Sequence, residues 1–203
     1  MPMYHYYILH KPYEMLSQFT GGDAGLRMLG DLGYDFPEGI HAVGRLDYHS
    51  EGLLILTTNP KVTKLLFEGP VKHKRTYLVQ AYKAVADLTL KQLRTGVLLK
   101  IKGGLDYVTT PCEVLTLTRP ILLPIATHEL PPSISQTWLE MTLTEGKYRQ
   151  IRKMLKAVHH PCRRLMRTSI EDLELGDLDS GSIKELTEKD FFQRLHIGNY
   201  RQS

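Results

Sequence analysis

The sequence predicts an α+β fold, and three segments carry this prediction. Leu53-Leu54-Ile55-Leu56 is a continuous apolar run between Gly52 and Asn59-Pro60, which is typical of a buried β-strand. Apolar and polar side chains alternate over residues 138–144, the pattern of a strand with one buried face. Over residues 145–158, apolar side chains recur at the spacing of an α-helix. A chain that mixes such strands and helices belongs to the α+β class.

Length and composition indicate one globular domain. The chain has 203 residues, which suits one large domain or two closely joined subdomains. The Pro-rich segment 120–135 has α+β-type sequence on both sides, so we expect a long loop there rather than a domain linker. Charged residues make up 24% and hydrophobic residues 42%, which excludes a disordered chain.

Cysteine usage and hydropathy bear on the compartment. Cys112 and Cys162 are the only cysteines, which excludes a CxxC metal site and fits a reducing environment. No apolar run approaches the ~18 residues of a membrane span, and the N-terminus lacks a signal-peptide core. We therefore expect a cytoplasmic protein without membrane contacts.

Periodicity and turn residues set the order of the elements. Proline ends strands because it has no N–H to donate, and glycine ends helices because it adopts left-handed backbone angles freely. The N-terminal part is predicted to contain a strand over 4–10 stopped by Pro12, a helix over 26–32 closed by Gly33, and two strands around Asp47. A helix follows that is capped by Asn59 and has Pro60 at its first position, and then a strand over 74–82. The remaining elements are a helix over 87–94, capped by Asp87 and ended by Gly96, and strands over 97–101, 113–117 and 138–144.

The stretch 43–57, VGRLDYHSEGLLILT, contains the first candidate site. We predict that Asp47 ends one strand, just before a tight connection through residues 50–52 into the next. A carboxylate held there by rigid elements can face a cleft, as catalytic acids commonly do. Alternation would also point Arg45 and Asp47 to the same side if the strand runs that far. The alternative is a surface ion pair with an Asx-type turn at Asp47.

A basic helix is the second candidate site. Its apolar stripe is predicted to consist of Tyr148, Ile151, Leu155 and Val158, and its basic residues are Lys147, Arg149, Arg152, Lys153 and Lys156. Arg163, Arg164 and Arg167 follow in a predicted strand. Much of the excess behind the net charge of +4 lies in this region. The concentration favours an anionic partner such as RNA or DNA, and the alternative is a solvated helix face.

A tyrosine on a strand is the third feature. Tyr77 lies in KRTYLV, residues 74–79, and it is either a core aromatic or a platform on which an extruded base can stack.

Together, GRLDYHSEGLLILTTN, KRTYLV and EGKYRQIRKML resemble, in this order, the three active-site motifs of pseudouridine synthases. The resemblance is to the family of bacterial synthases that act on the small and large ribosomal subunits. Within it, ILHKPYEMLSQFT and PPSISQTWLEMTLTEGKYRQIRKM are similar to the E type of the large-subunit synthases. The resemblance implies a single catalytic domain over 1–203, with subdomains of roughly 1–72 and 73–196 that share a mainly antiparallel sheet and flank a cleft. It also implies a monomer without a separate N-terminal RNA-binding domain, acting on 23S ribosomal RNA.

The resemblance also implies roles for single residues. Asp47 matches the catalytic aspartate, Arg152 the basic residue that pairs with it, and Tyr77 the base-stacking tyrosine. Ile151 would pack the pocket wall, and Arg45 would hold the motif or touch a phosphate. The expected RNA contacts are Arg149, Lys153, Lys156, Arg163, Arg164, Lys11 and Arg75.

The implied reaction needs no cofactor and no metal, because uridine isomerisation consumes no redox equivalent, water or group donor. One carboxylate suffices, either as a nucleophile at C1′ or as a base that gives a glycal. A hydrolase with two carboxylates, Asp47 and Glu51, is disfavoured because a turn follows Asp47. The alternatives are a non-catalytic RNA-binding protein of ribosome assembly, a synthase for another rRNA or tRNA uridine, and, more weakly, a thiol enzyme that pairs Cys162 with His159 or His160.

The chain departs from the family pattern at three places. Asn59-Pro60 replaces a common Asp-Gly turn, and Arg75 stands where lysine is frequent. His159 stands where a glycine usually ends the helix, so we expect a strained left-handed residue there.

Overall fold

The computed structural model describes residues 3–21, 25–100 and 102–198. Contacts divide the chain into two compact units. Unit 1 combines Met1–His73 with Met166–Ser203, and unit 2 is Lys74–Leu165. The C-terminal segment therefore folds with the N-terminal segment.

Strands and helices are mixed along the described residues, and the strands pair mainly antiparallel, as is typical of the α+β class. The strands are β1 Tyr6–Lys11, β2 His41–Val43, β3 Glu51–Thr57, β4 Arg75–Tyr82, β5 Leu98–Lys100, β6 Asp106–Val108, β7 Glu113–Leu117, β8 Gln136–Leu143, β9 Cys162–Ile170, β10 Leu173–Glu174 and β11 Ile183–Leu186. The helices are α1 Val62–Phe67, α2 Asp87–Thr95, α3 Gln150–Ala157 and α4 Glu188–Arg194, with short 3-10 turns at Leu29–Leu32 and Lys102–Gly104.

Unit 1 is built around β3. Its strands are ordered β11-β1-β3, followed by the part of β9 from Met166 onward; β2 also pairs with β3, and β10 pairs with β9. β1 runs antiparallel to β3 from Tyr6↔Thr57 to Lys11↔Gly52, and β3 meets β9 in parallel at Gly52↔Arg167. Every residue of β3 is buried, which confirms the buried strand that the apolar run predicted. The Tyr6 ring lies 4.7 Å from the ring of Phe191 on α4, a helix that the sequence did not predict.

Unit 2 contains an antiparallel sheet with the strand order β4-β8-β7 and two helices. β4 pairs with β8 from Arg75↔Leu143 to Tyr82↔Gln136, and β7 pairs with the other edge of β8. β5 and β6 form a separate hairpin. The unit's core consists of fully buried side chains from its strands and both helices, among them Val79, Leu93, Leu139, Met141, Met154 and Leu155.

Most predicted boundaries agree with the structure to within two residues. β7 matches 113–117, and residues 118–135 contain no strand or helix, which confirms the long loop. The Asn59 side chain accepts a hydrogen bond from Lys61 N at 3.1 Å, so it caps the turn into α1. Asp87 does not cap α2, because Ala86 holds the cap position and Asp87 is already helical. Residue 101, the predicted end of β5, lies outside the described residues.

None of the helices in the described ranges is long and apolar enough to cross a bilayer.

The end of α3 has the strained residue that the sequence predicted. His159 has a φ of 64°, and His160 N donates to Leu155 O at 2.9 Å, the six-residue closure that follows a left-handed helix end. A side chain with a Cβ is disfavoured in that conformation.

Replacing His159 by glycine should therefore stabilise the protein. We expect His159→Gly to raise the free energy of unfolding by roughly 0.5–1 kcal/mol, measured by urea denaturation. Lys156→Gly, in the same helix but at an exposed helical position, is the matched control and should lower it by about 1 kcal/mol. Destabilisation by both variants would contradict the assigned strain.

Candidate active site

The residues around Asp47 lie in a loop, not at the end of a strand. β2 ends at Val43, and Gly44 follows with a φ of 72°. The positive φ favours glycine, and a Cβ at residue 44 would lie 2.8 Å from the ring of Phe67, which would have to shift. The prediction that Asp47 ends a strand is therefore wrong. The condition for a common side of Arg45 and Asp47, a strand that extends to Asp47, is not met because β2 ends at Val43.

A tight turn presents Asp47. Ser50 N donates to Asp47 O at 2.9 Å, and β3 begins at the next residue, Glu51. The turn thus spans 47–50, whereas the sequence placed it at 50–52. The Asp47 side chain is half-buried and Arg45 is exposed, while Glu51 is buried within β3.

Gly52 fixes where this turn joins the sheet. Its φ is 100°, and a Cβ there would lie 2.3 Å from the carbonyl oxygen of Arg167 on β9. The guanidinium Nε of Arg167 also donates to Leu53 O at 2.7 Å. Backbone contact this close requires glycine, which explains the residue at the start of β3.

The segment 11–17 supports the turn, a feature that the sequence analysis missed. The Ser17 hydroxyl donates to Leu46 O at 2.8 Å and accepts from Leu46 N at 3.0 Å. Met15 N donates to Tyr48 O at 3.3 Å. The residues on both sides of Asp47 are thus tied to one neighbouring segment. The sequence carried no clear signal for this support, because a serine in a loop is most often exposed.

Lys11 is part of this support. It is fully buried, and its Nζ donates to Pro12 O and to Met15 O, each at 2.7 Å. Burial lowers the pKa of Lys11 to about 7, against the opposing effect of the carboxylates of Glu51 and Asp47. Contact between Lys11 and RNA, as predicted, is contradicted by this burial.

Tyr77 and Ile151 lie in unit 2. Tyr77 is half-buried on β4, opposite Met141 of β8, and it packs against the unit's core. Ile151 belongs to that core and is buried. Tyr77 therefore has packing contacts of its own, and any role in stacking would use the part of its ring that stays exposed.

α3 starts later than predicted. Residues 145–149 form a turn in which the Glu145 carboxylate accepts from Thr110 N, from Gln150 Nε2 and from the Tyr107 hydroxyl. That last hydrogen bond is the main reason why the pKa of Tyr107 is raised to about 12. Tyr148 is 75% exposed, so its place in the apolar stripe was wrong.

Arg152 borders the buried face of α3. Its side chain is half-buried, and its guanidinium donates to Cys162 O at 3.4 Å, next to the Cys162 sulfur at 3.7 Å. Cys162 is a strand residue, as expected, and His160 Nδ1 bonds Tyr82 O at 3.0 Å. These contacts give the Cys162 and His160 pair structural partners and no arrangement for thiol catalysis.

Arg164 has a structural role. It is 3% exposed and donates to Glu129 Oε2 at 2.8 Å and to Pro124 O at 3.0 Å. Arg119 binds the same carboxylate. Burial alone would raise the pKa of Glu129, but the two guanidinium groups outweigh it and lower the pKa. Arg164 thus anchors the long loop, and its predicted contact with RNA is contradicted.

The other predicted RNA contacts keep some exposure. Lys156 is exposed, and Arg149, Lys153, Arg163 and Arg75 are half-buried. Lys153 Nζ lies 5.4 Å from the centre of the Tyr148 ring, and Arg75 donates to Thr144 O at 3.2 Å. Within the described ranges, no group of three or more His, Cys, Asp or Glu could hold a metal ion.

Residues 5–157 match the family model of RNA pseudouridylate synthases. The chain belongs to this family. It is therefore a pseudouridine synthase, an isomerase that modifies RNA, and the α+β pseudouridine synthase fold predicted from the sequence is confirmed.

Several proteins that are similar to the chain are named pseudouridine synthases as well. The chain is 39% identical to the ribosomal large subunit pseudouridine synthase E of Vibrio parahaemolyticus over 184 residues, 88% of this chain and 72% of the relative. It is 38% identical to the synthase E of Xanthomonas axonopodis over 177 residues, 84% of this chain and 88% of the relative. A solved pseudouridylate synthase shares the fold with a TM-score of 0.74, at 22% identity, over 96% of this chain and 75% of that one.

The buried lysine of this synthase predicts a pH dependence. The folded chain releases the Lys11 proton near pH 7, whereas the unfolded chain holds it to about 10.4. Unfolding therefore takes up a proton in this window, and the Lys11 contribution to the free energy of unfolding rises with pH by up to ~1.4 kcal/mol per unit.

Lys11→Met should lack this rise. We expect the free energy of unfolding of the wild type minus that of Lys11→Met, from urea denaturation, to increase from about pH 7 to about pH 9. Lys61→Met, at an exposed lysine of the same unit, is the control and should follow the wild type at all pH values. Parallel curves for Lys11→Met and wild type would show that Lys11 does not titrate near neutral pH.

Proposed function

We propose that this synthase converts a uridine of large-subunit (23S) ribosomal RNA to pseudouridine, with Asp47 as the catalytic residue. Two relatives that share more than a third of its residues over most of its length are named for the large ribosomal subunit. The observation that carries the assignment of Asp47 is its half-buried position in a turn tied down on both sides.

The chemistry needs one well-placed carboxylate. The bond between C1′ and N1 breaks, the uracil turns over, C5 joins C1′ and releases its hydrogen as a proton, and N1 takes up a proton. Asp47 would either attack C1′ or remove a sugar proton to give a glycal, and both routes need its carboxylate at a fixed distance from the sugar. The target nucleotide must also leave its stack, at a cost of a few kcal/mol.

Residues of unit 2 are proposed to support the reaction. Tyr77 would stack on the extruded base, Arg152 would supply positive charge, and Ile151 would pack the wall of the pocket. These roles rest on the resemblance of KRTYLV and EGKYRQIRKML to family motifs. The burial of Ile151 and the partial exposure of Tyr77 and Arg152 are compatible with them.

The remaining basic side chains are proposed to bind the RNA backbone. They are Arg149, Lys153, Lys156, Arg163, Arg75 and Arg45. Guanidinium and ammonium groups bind phosphates and release counterions, so affinity for RNA should fall as salt increases. Because ribosomal RNA is made and assembled in the bacterial cytoplasm, we place the enzyme there, and we propose that it acts as a monomer.

The substrate can be mapped directly. In cells that lack this protein, we expect one position of the large-subunit rRNA that is otherwise pseudouridine to remain uridine. Pseudouridine should appear at that position again when the gene is restored. Loss of a pseudouridine from small-subunit rRNA or from a tRNA would replace the proposed substrate with another RNA.

The first prediction concerns Asp47. We expect Asp47→Asn to lower pseudouridine formation by at least about 10²–10⁴-fold, because the amide keeps the shape of the side chain but cannot act as nucleophile or base. Tritium release from uridine-labelled large-subunit rRNA measures the rate, and filter binding should show unchanged affinity for RNA.

The control for Asp47 is Asp35→Asn, an exposed acid of the same unit, which should keep full activity. Turnover by Asp47→Asn at the wild-type rate would refute the assignment. The catalysis would then have to be assigned to another residue of this synthase.

The second prediction concerns Tyr77. Stacking needs the ring and not the hydroxyl, so Tyr77→Phe should keep kcat/KM within a few-fold, whereas Tyr77→Leu should lose about 10- to 100-fold. Leucine fills much of the space that the ring occupies in the core, which limits the loss of stability, and circular dichroism checks the fold. Equal losses in both variants would argue against stacking.

A further inference from the structure

One hydroxyl group makes two hydrogen bonds to the residue before Asp47. Ser17 Oγ donates to Leu46 O at 2.8 Å and accepts from Leu46 N at 3.0 Å. The carbonyl of Leu46 lies in the same peptide plane as the amide nitrogen of Asp47. The two bonds therefore fix both peptide groups that lead into Asp47.

On the other side of Asp47, backbone hydrogen bonds hold the turn. Ser50 N donates to Asp47 O at 2.9 Å, and Met15 N donates to Tyr48 O at 3.3 Å. Lys11 Nζ in turn donates to Met15 O at 2.7 Å. Ser17 thus contributes its side chain to this support, through the residue directly before Asp47.

We propose that Ser17 is a positioning residue for the isomerisation. It sets the backbone direction from which the Asp47 carboxylate reaches C1′, without touching the substrate. The proposal rests on the proposed function, because it requires that Asp47 be the catalytic residue.

The chemistry of this position suits serine. The hydroxyl is both donor and acceptor at one atom, and Ser17 is buried, so water does not replace it readily. Alanine would leave the N–H and C=O of Leu46 without a partner in a buried place, and the turn would shift to reach other partners. Threonine retains the hydroxyl and should retain the two bonds.

The structure offers a matched control at the other end of β3. Thr57 is fully buried, and its hydroxyl also makes one bond in each role: it donates to His5 O at 2.6 Å and accepts from Asn59 N at 3.1 Å. Thr57→Val deletes a comparable pair of bonds in the same unit, away from the turn. It therefore reports the effect of lost stability alone.

The test compares Ser17→Ala, Ser17→Thr and Thr57→Val in tritium-release assays, at a temperature where circular dichroism shows all three folded. We expect Ser17→Ala to lower kcat by about 10- to 100-fold with KM for the RNA unchanged, because a carboxylate displaced by an ångström loses its alignment. Ser17→Thr should restore most of kcat, and Thr57→Val should keep it.

Two results would overturn the proposal: full kcat in folded Ser17→Ala, or an equal loss of kcat in Thr57→Val. Asp47→Asn, measured in the same assay, separates this failure from that of the proposed function. If Asp47→Asn is inactive while Ser17→Ala is fully active, only the positioning role fails. If Asp47→Asn is active, the catalytic assignment fails and the positioning role fails with it.

Discussion

The parallel contact between β3 and β9 at Gly52 is the constraint on which the active-site turn depends. A Cβ at residue 52 would collide with the Arg167 carbonyl, so the two backbones approach this closely only because the residue is glycine. Seven residues, 44–50, connect β2 to β3, and the last four of them, 47–50, form the turn into the sheet. The sheet thereby determines where the turn stands, and Asp47 is placed at its first position.

The cost of burying the ammonium group of Lys11 near the turn is a second constraint. A buried ammonium group is costly unless polar groups surround it, and Lys11 meets this need with two carbonyl oxygens and the nearby carboxylates of Glu51 and Asp47. A hydrophobic residue would serve stability better in an ordinary core. A sequence commonly departs from that rule at functional sites, and here the departure lies directly beside the proposed catalytic group.

The sequence predicted what depends on local pattern and missed what depends on distant partners. Two central strands could be located from the sequence, because a strand buried throughout, such as β3, is apolar at every position, and a half-buried strand, such as β8, alternates apolar and polar residues. Lys11 and Arg164 were assigned to RNA because a charge pattern does not show whether the charge is buried. Their partners are backbone carbonyls and, for Arg164, Glu129, which lies 35 residues away. The return of the C-terminal segment to unit 1 likewise leaves no local signal.

A support made of backbone groups and one hydroxyl suits either route of the reaction. The proposed carboxylate changes its charge as it bonds to C1′ or takes up a proton, and a charged partner would respond to that change. The Ser17 hydroxyl and the amides of Met15 and Ser50 do not titrate in the neutral range, so their hydrogen bonds hold the turn unchanged through each step. Neutral groups therefore fix where Asp47 stands, independently of the charge that it carries.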